Sequence, residues 1–287
     1  MPSKSVPGRG KQIYVEILIR SSLDRLWKLS QDPAQHPRWD LRFSRIVPTG
    51  VGSDGHSRFR YEFRLPFYTV AGTGTSLGLR TRAGGQATSV LKFSASNALS
   101  PIGSGSGYWR YAPAAEGIRF ITGYNYAPGM GAVGRKLDRR VIRPALGWAT
   151  ALSFDRLRLW AESGVDPAVS RNAWWMDAAA RAACVAAAVV LLQRGAVLGR
   201  AVLLARARGP RSRPSGRAWL PLASRFVAAA AVLAGAGGFP PHPTVPRAAR
   251  CLRQPPDRAS SEAPESLASL AEPVRTVPRA SIAGAGV

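Results

Sequence analysis

Asp40, with Arg42 two residues later, is the group best placed for acid–base chemistry. In a structural role, the Asp40 carboxylate would brace a short helix or pair with Arg42 at the start of a strand. Buried beside a cavity, the same carboxylate could act as a general base with a shifted pKa. Tyr61 is the second candidate for a catalytic role. Glu16 and Glu62 are alternatives, but their positions in alternating strands predict that both face outward.

Several familiar kinds of site are missing from the sequence. The stretch Gly131–Lys136 lacks the spacing of a phosphate-binding loop, and Gly72–Gly78 falls within a predicted strand rather than between a strand and a helix. His36, His56 and His242 are scattered along the chain, so they predict neither a metal site nor a Ser-His-acid triad. We therefore expect no metal and no cofactor.

Aromatic residues from several predicted elements form a second group. Alternation along a strand fixes which side chains share a face, but not which face is the inner one. These rings could simply fill a core. They could instead line a ligand cavity, in which the rings supply apolar contact and a few hydroxyls orient the ligand. The candidate cavity residues are Trp39, Phe59, Tyr61, Phe63, Trp109, Tyr111, Tyr124, Tyr126 and Trp148.

A basic run opens the longest predicted helix, and spacings of three and four residues put several of its members near one helical face. The run could be a solvated face. It could also be a docking patch for phospholipid headgroups or for a phosphorylated carrier partner at a cavity mouth. Nucleic acid is disfavoured as a partner, because no recognition module appears. The basic residues are Arg135, Lys136, Arg139, Arg140 and Arg143.

The helix that carries this run is predicted over Met130–Glu162, the longest segment with apolar residues at helical spacing. Pro144 removes a backbone donor within it, which predicts a kink or break near Arg143. Gly164 is placed to end the helix in a left-handed conformation. A helix of this length must bury its apolar stripe against other elements.

Strand-like segments with turn signals between them supply those elements. Two short helical segments, Leu23–Ser30 and Asp32–Pro37, follow the first strand. The element order is therefore β-α-α-β6-α. It predicts an α+β fold in which a seven-stranded antiparallel sheet curls around one long helix and leaves space between them. The predicted strands are Ile13–Ile19, Leu41–Val47, Ser57–Leu65, Phe67–Leu79, Ser89–Ala95, Ser106–Ala112 and Ile118–Tyr126.

Three segments, Tyr14–Ile46, Gly105–Pro113 and Leu137–Trp160, resemble the START-like (SRPBCC) superfamily, and within it the polyketide cyclase/dehydrase and lipid-transport group. The resemblance covers roughly residues 12–165 and implies a helix-grip (Bet v 1-like) fold over an apolar cavity. It implies binding, transport or sequestration of a hydrophobic small molecule such as a lipid or polyketide. The alternative is a cyclase or dehydrase in the same cavity, because ring closure needs only a proton removed next to a carbonyl.

Composition separates a ligand-binding domain, 12–166, from the rest of the chain. The net charge of +24 makes anionic partners plausible, although Arg-rich composition also follows from a GC-rich genome. Residues 167–239 are Ala-rich and predicted helical, with a basic linker at 208–217, whereas 1–11 and 240–287 are predicted to be disordered tails. Both cysteines lie outside 12–166, so no disulfide framework is predicted.

Membrane contact is an open alternative for 172–239. Its apolar runs, Ala182–Gln193 and Phe226–Phe239, are shorter than the about 20 residues that a spanning helix needs. These helices could pack against the domain or one another, or they could contact a bilayer, because their Arg-rich ends suit an anionic leaflet. The N-terminus has no apolar signal region, so we expect a cytoplasmic protein, or alternatively a membrane-associated accessory protein.

Overall fold

The computed structural model describes residues 10–64, 67–80, 85–95, 97, 99–207 and 220–273. They form two compact units: residues up to Ser170 together with those from Pro246 onward, and Arg171–Val245. The expected linker, 208–217, lies outside the described residues, as do the ends of the two expected disordered tails, 1–9 and 274–287.

The first unit contains a seven-stranded sheet in the order β1-β7-β6-β5-β4-β3-β2, and every neighbouring pair is antiparallel. The α+β prediction with seven antiparallel strands is therefore confirmed. Each predicted strand overlaps an observed one. The strands are β1 (Ile13–Ile19), β2 (Arg45–Val51), β3 (Ser57–Arg64), β4 (Thr69–Arg80), β5 (Ala87–Ala95), β6 (Ile102–Ala114) and β7 (Gly117–Pro128).

Two short helices follow β1. The first, α1 (Leu23–Gln31), begins where the Ser22 hydroxyl accepts a hydrogen bond from the Arg25 N–H at 3.3 Å. The second, α2 (His36–Trp39), starts where the sequence predicted an end. Its proline lies in the first turn, where the missing N–H would have no helical partner in any case.

The long helical run has three parts: α3 (Gly131–Leu137), a π-helical turn (Asp138–Ile142) and α4 (Arg143–Ser163). The predicted interruption near Arg143 is present as this wider turn, immediately before Pro144. The predicted end is also confirmed. Gly164 has a φ of +68°, and its N–H donates to the Trp160 carbonyl at 3.1 Å.

The sheet grips α4 through an apolar core. Phe154 and Leu157 of α4 are fully buried, and the Phe154 ring stacks on Phe120 of β7 with 4.5 Å between centroids. Val15 and Ile19 of β1 are buried in the same cluster. Burying each such side chain contributes about 1.5–3 kcal/mol, so this contact holds the helix in the curved sheet.

Two buried charged residues on α4 tie other segments to the helix. Arg156 donates to the Trp39 carbonyl at 3.0 Å and to the Arg38 carbonyl at 2.8 Å, which fixes the C-terminal end of α2. Asp155 accepts hydrogen bonds from the Arg247 N–H at 2.7 Å and from the Arg250 guanidinium at 3.0 Å. The chain near the C-terminus is therefore anchored to the same helix.

The expectation of a disordered tail is wrong for residues 246–273, which we call the C-terminal strap. After a 3₁₀ turn (Ala248–Arg250), the strap pairs with the free edge of β1, where Glu16 and Leu252 exchange two backbone hydrogen bonds of 2.9 Å. Two short helices, α7 (Arg258–Ser261) and α8 (Ser266–Ser269), follow. The strap is polar and proline-rich, so its order depends on sheet surfaces distant in sequence.

The strap covers the outer face of the sheet. The Tyr108 hydroxyl donates to the Ser260 carbonyl at 3.1 Å, and Leu270 is buried beside Tyr14 and Ile121. Cys251 is buried against α4 within this unit, so its expected position outside the main domain is also wrong. The prediction that Glu16 faces outward is correct, but the strap buries this side chain.

The second unit contains α5 (Pro167–Ala207), whose first turn belongs to the first unit, and α6 (Leu220–Gly238). The helices pack antiparallel. Arg181 of α5 donates to the carbonyls of Ala236 and Phe239 at the C-terminal end of α6, and Arg225 donates to the Arg194 carbonyl at 3.3 Å. An arginine therefore caps the carbonyl end of α6.

Candidate ligand-binding cavity

A cavity of ≈ 640 Å³ lies between the inner face of the sheet, the short helices and α4. Its volume is within the range of small-molecule sites. The walls are mostly apolar, and β3 supplies three of the rings through its alternation. Prominent wall residues are Phe59, Tyr61, Phe63, Phe93, Trp109 and Leu146.

Five of the nine candidate cavity residues line this space: Phe59, Tyr61, Phe63, Trp109 and Tyr124. The first three alternate along β3, so they share the inner face of the sheet. Trp109 comes from β6 and Tyr124 from β7, which brings rings from distant parts of the sequence to one interior.

Three other candidates are core residues whose polar atoms have protein partners. Trp39 donates to the Leu29 carbonyl at 3.0 Å. The Tyr111 hydroxyl lies 2.7 Å from the Ser30 hydroxyl, and Tyr126 donates to the Asp138 carboxylate at 2.6 Å. The Tyr111 and Tyr126 bonds hold helical segments to the sheet, and the Trp39 bond holds α2 to α1. Alternation and helical spacing alone could not predict how deeply these side chains are buried.

Trp148 lies on the outer side of α4, where 41% of its surface is exposed. The sequence placed it in the cavity because it falls within an apolar helical segment. The inner side of this part of α4 is instead supplied by Leu146 and Ala149, which line the cavity.

Glycines in β4 keep the cavity from being filled. In the register of the sheet, Tyr61 lies opposite Gly72 and Phe59 lies opposite Gly74. A methyl group added at Gly72 would overlap the Tyr61 ring and hydroxyl, and one added at Gly74 would overlap the Phe59 ring. The rings therefore lie flat across β4. This role was missed, although the alternating glycines of β4 are visible in the sequence.

Asp40 has the geometry of an ion-pair partner. Its two carboxylate oxygens accept hydrogen bonds from Arg42 at 2.9 and 2.7 Å, and one also lies 3.0 Å from Nε2 of His36. Burial alone would raise the pKa of Asp40, but the charge of Arg42 and the bonds from His36 and Arg42 hold it far below its ordinary value. This geometry favours the structural role of Asp40 over the general-base role.

Arg42 and His36 form the polar end of the cavity wall. The Arg42 guanidinium lies 5.3 Å from the centre of the Tyr124 ring while it pairs with Asp40. Burial lowers the pKa of His36, so the imidazole is neutral near pH 7. Because the charges of Asp40 and Arg42 cancel and His36 is neutral, these three residues together add no net charge to this end of the cavity.

The Tyr61 hydroxyl is the exception among these polar atoms. It is buried, and it has no hydrogen-bond partner among the described residues. Burial raises the pKa of Tyr61, so the hydroxyl stays protonated and can donate. A buried hydroxyl without a partner is costly, which makes it a candidate for contact with a ligand oxygen.

The basic run divides into two groups. Arg135, Lys136, Arg139 and Arg140 are exposed. Arg143 is directed inward instead: its guanidinium pairs with Asp138 at 3.0 Å and lies over the Tyr126 ring. The exposed patch therefore has four members rather than five. Among the described residues, no group of three or more metal-ligating side chains is present.

No protein-family model matches the chain. Over 161 residues it is 44% identical to the uncharacterized membrane protein YndG of Bacillus subtilis (strain 168), a match that covers 55% of this chain and 60% of that protein. The chain thus spans less than two thirds of the length of this curated relative.

Solved structures with similar folds include proteins of two kinds. The STAR-related lipid transfer protein from Xanthomonas axonopodis has a TM-score of 0.41 at 14% identity, and the match covers 54% of this chain and 88% of that one. The di-domain ARO/CYC StfQ of the steffimycin biosynthetic pathway has a TM-score of 0.40 at 12% identity, covering 53% and 50%. The fold itself follows from the sheet order and the gripped helix: the first unit has a helix-grip fold, in which a seven-stranded antiparallel sheet curves around α4.

Proposed function

We propose that this protein binds a hydrophobic small molecule, such as a lipid or polyketide, in the cavity between the sheet and α4. The observation that supports this function best is the ≈ 640 Å³ space under rings that lie flat on β4. Protein interiors are close-packed, and unfilled apolar space destabilises a fold by about 24 cal/mol per Å³. A ligand would recover that lost contact.

The polar groups in the wall favour an uncharged ligand with one hydrogen-bond acceptor. The Tyr61 hydroxyl supplies a donor without a protein partner. Asp40 already neutralises the charge of Arg42. A ligand carboxylate would therefore lose its hydration at this end of the cavity without gaining an ion pair with Arg42. We therefore propose a ketone, ester or ether oxygen near Tyr61, with the rest of the ligand against the apolar wall.

Calorimetric titration of the purified full chain tests this function, with a long-chain methyl ketone and the fatty acid of the same chain length as probes. We expect saturable binding of the ketone and binding of the fatty acid that is at least about tenfold weaker, since desolvating a charge costs more than 1.4 kcal/mol. If neither probe binds, the function is wrong. Stronger binding of the fatty acid would contradict only the uncharged class.

The alternative function, a cyclase or dehydrase in the same cavity, is supported by His36 rather than by Asp40 or Tyr61. His36 lines the cavity as a neutral imidazole, and Nε2 lies 3.0 Å from the Asp40 carboxylate that can orient the ring. If the cavity performs proton abstraction, His36→Gln removes turnover of a poly-β-ketone substrate while the methyl ketone still binds. Unchanged turnover would remove His36 from that role.

Membrane association of the second unit is a second candidate function. By length and composition, Pro167–Ala201 could cross a membrane, and only 11% of its apolar window is buried; Ala223–Gly238 is a shorter apolar helix. Large apolar side chains such as Trp175, Met176 and Val190 are exposed. The similar Bacillus subtilis protein is called a membrane protein, which agrees with this candidate.

Alkaline carbonate extraction of cell membranes that contain the full chain tests this association. A bilayer-embedded hairpin stays in the membrane pellet, because its apolar contacts do not depend on charge. Recovery of the full chain in the carbonate supernatant would contradict insertion. A peripheral protein bound only through its arginines serves as the control that must be released.

A further inference from the structure

We propose that the outer side of the α3–α4 run docks on the surface of an anionic phospholipid bilayer. The surface consists of an apolar stripe (Val133, Leu137, Val141 and Trp148) and of the four exposed basic residues between its members. It belongs to the first unit and does not depend on the cavity or on the second unit.

The stripe leaves large apolar side chains in solvent. The exposed fractions are 57% for Val133, 39% for Leu137, 54% for Val141 and 41% for Trp148. Spacings of four, four and seven residues put them along one side of the helical run. A different side of the run packs inward through Gly134, Asp138 and Leu146. The outer stripe is therefore a second apolar side beyond the one needed for folding.

The exposed charged side chains within this helical run are all positive. Arg135, Lys136, Arg139 and Arg140 are exposed. The one acidic residue between Gly129 and Phe154 is Asp138, which is buried and bonded to Arg143 and Tyr126. Four outward cations with no outward anion complement a negatively charged surface.

The combination of apolar and basic residues favours a bilayer over a protein surface. A helix that lies in a membrane interface presents aliphatic residues, a tryptophan and flanking Arg or Lys on one side. The indole of Trp148 suits the headgroup level, where one edge can remain hydrated. Long Arg and Lys side chains can extend to phosphates while the helix lies in the plane.

The surface also adjoins a loop of the cavity wall. The Gly129 N–H, just before α3, donates to the Pro101 carbonyl at 3.0 Å. Ser100, Pro101 and Ile102 in that loop line the cavity. Docking at α3 would bring this part of the wall to the membrane surface.

Hydrogen exchange on the full chain, read by peptide mass spectrometry, locates the contact. We expect slower amide exchange over 131–148 with vesicles of phosphatidylcholine and phosphatidylglycerol, and no change with phosphatidylcholine alone. The double variant Leu137→Ser/Val141→Ser should bind anionic vesicles at least about tenfold more weakly, because serine removes apolar surface that would enter the bilayer. Arg139→Glu/Arg140→Glu should remove the preference for anionic lipid.

Leu252→Ser is the matched control, because this exposed leucine lies on the strap and its substitution leaves the stripe intact. Unchanged exchange over 131–148 with anionic vesicles contradicts the proposal, even if 171–238 becomes protected, since the second unit would then carry the contact alone. Equal protection by both vesicle types, or protection only when a protein partner is added, also contradicts it.

Discussion

Asp40 shows how burial decides the role of a single side chain. Its carboxylate accepts two hydrogen bonds from Arg42 and lies beside His36 in a part of the fold without solvent. From the sequence alone, the same residue could be a brace or a catalytic base. The ion pair makes it a brace, and it places the Arg42 guanidinium in the cavity wall.

We expect Asp40→Asn to destabilise the protein rather than to affect chemistry alone. The substitution leaves the Arg42 cation buried without a counter-charge, which costs about 3–5 kcal/mol when one partner of a buried pair is removed. Urea unfolding followed by circular dichroism measures this change. Arg38→Gln is a control, because the Arg38–Asp166 ion pair is largely exposed and should contribute about 1 kcal/mol or less. A loss below 1 kcal/mol for Asp40→Asn would contradict the account.

The same ion pair predicts a pH dependence. The folded-state pKa of Asp40 is depressed, so its stabilising effect is complete above its ordinary unfolded value of about 4 and is lost as the pH falls toward the folded-state pKa. The difference in unfolding free energy between the wild type and Asp40→Asn should therefore shrink below about pH 4. Unfolding curves at several pH values measure it, and a constant difference down to pH 2 would contradict the prediction.

Tyr61→Phe should weaken binding of the methyl ketone about tenfold, which corresponds to the loss of one hydrogen bond of about 1–1.5 kcal/mol. Protein stability should not fall, because the hydroxyl has no partner among the described residues. An alkane of the same length is the matched probe and should bind both proteins equally. Equal loss of ketone and alkane affinity would show that the ring, rather than the hydroxyl, was affected.

Strand β4 is the element that keeps the interior open. Gly74→Ala should push the Phe59 ring off the strand and into the cavity, because the added methyl group would overlap the ring. We expect ligand affinity to fall about tenfold or more while the protein still folds. Gly237→Ala in α6, where an added methyl group meets no neighbouring atom, is the matched control. Unchanged affinity for Gly74→Ala would contradict the role of β4.

The C-terminal strap is the second element whose effect can be measured. Leu270 is buried against the outer face of the sheet in a cluster with Tyr14 and Tyr108. Leu270→Ala should therefore cost about 2–5 kcal/mol of stability, as expected for a core leucine. Leu252→Ala, on an exposed strap residue, should cost less than about 0.5 kcal/mol. Equal and small effects at both positions would mean that the strap is not held on the sheet.

Over the whole molecule, the element order and strand pattern were predictable because alternation and turn signals are local. Ile13, Val15, Ile17 and Ile19 read as one buried face, and that face packs inward. Two features were not predictable from local patterns. The strap is ordered by β1 and the outer sheet face, and Trp148 points outward because Leu146 and Ala149 fill the inner side of the helix.

The candidate site was predictable in part for the same reason. Alternation along β3 correctly grouped Phe59, Tyr61 and Phe63. The sequence could not show that the Tyr61 hydroxyl lacks a partner among the described residues, because this depends on how β4 packs beside β3. For Asp40, the sequence left open a brace for a short helix, a pair with Arg42 and a general base, and the buried geometry favours the pair. The inward turn of Arg143 depends on Tyr126 and Asp138, which the sequence did not link to it.

Native mass spectrometry of the full chain, purified without detergent from its own cells, tests the central proposal most directly. The account predicts a protein peak shifted by the mass of one uncharged, apolar molecule, with the shift lost in Gly74→Ala and retained in Gly237→Ala. A wild-type protein that carries no apolar molecule, and that takes up none from added neutral lipids or ketones, would contradict it.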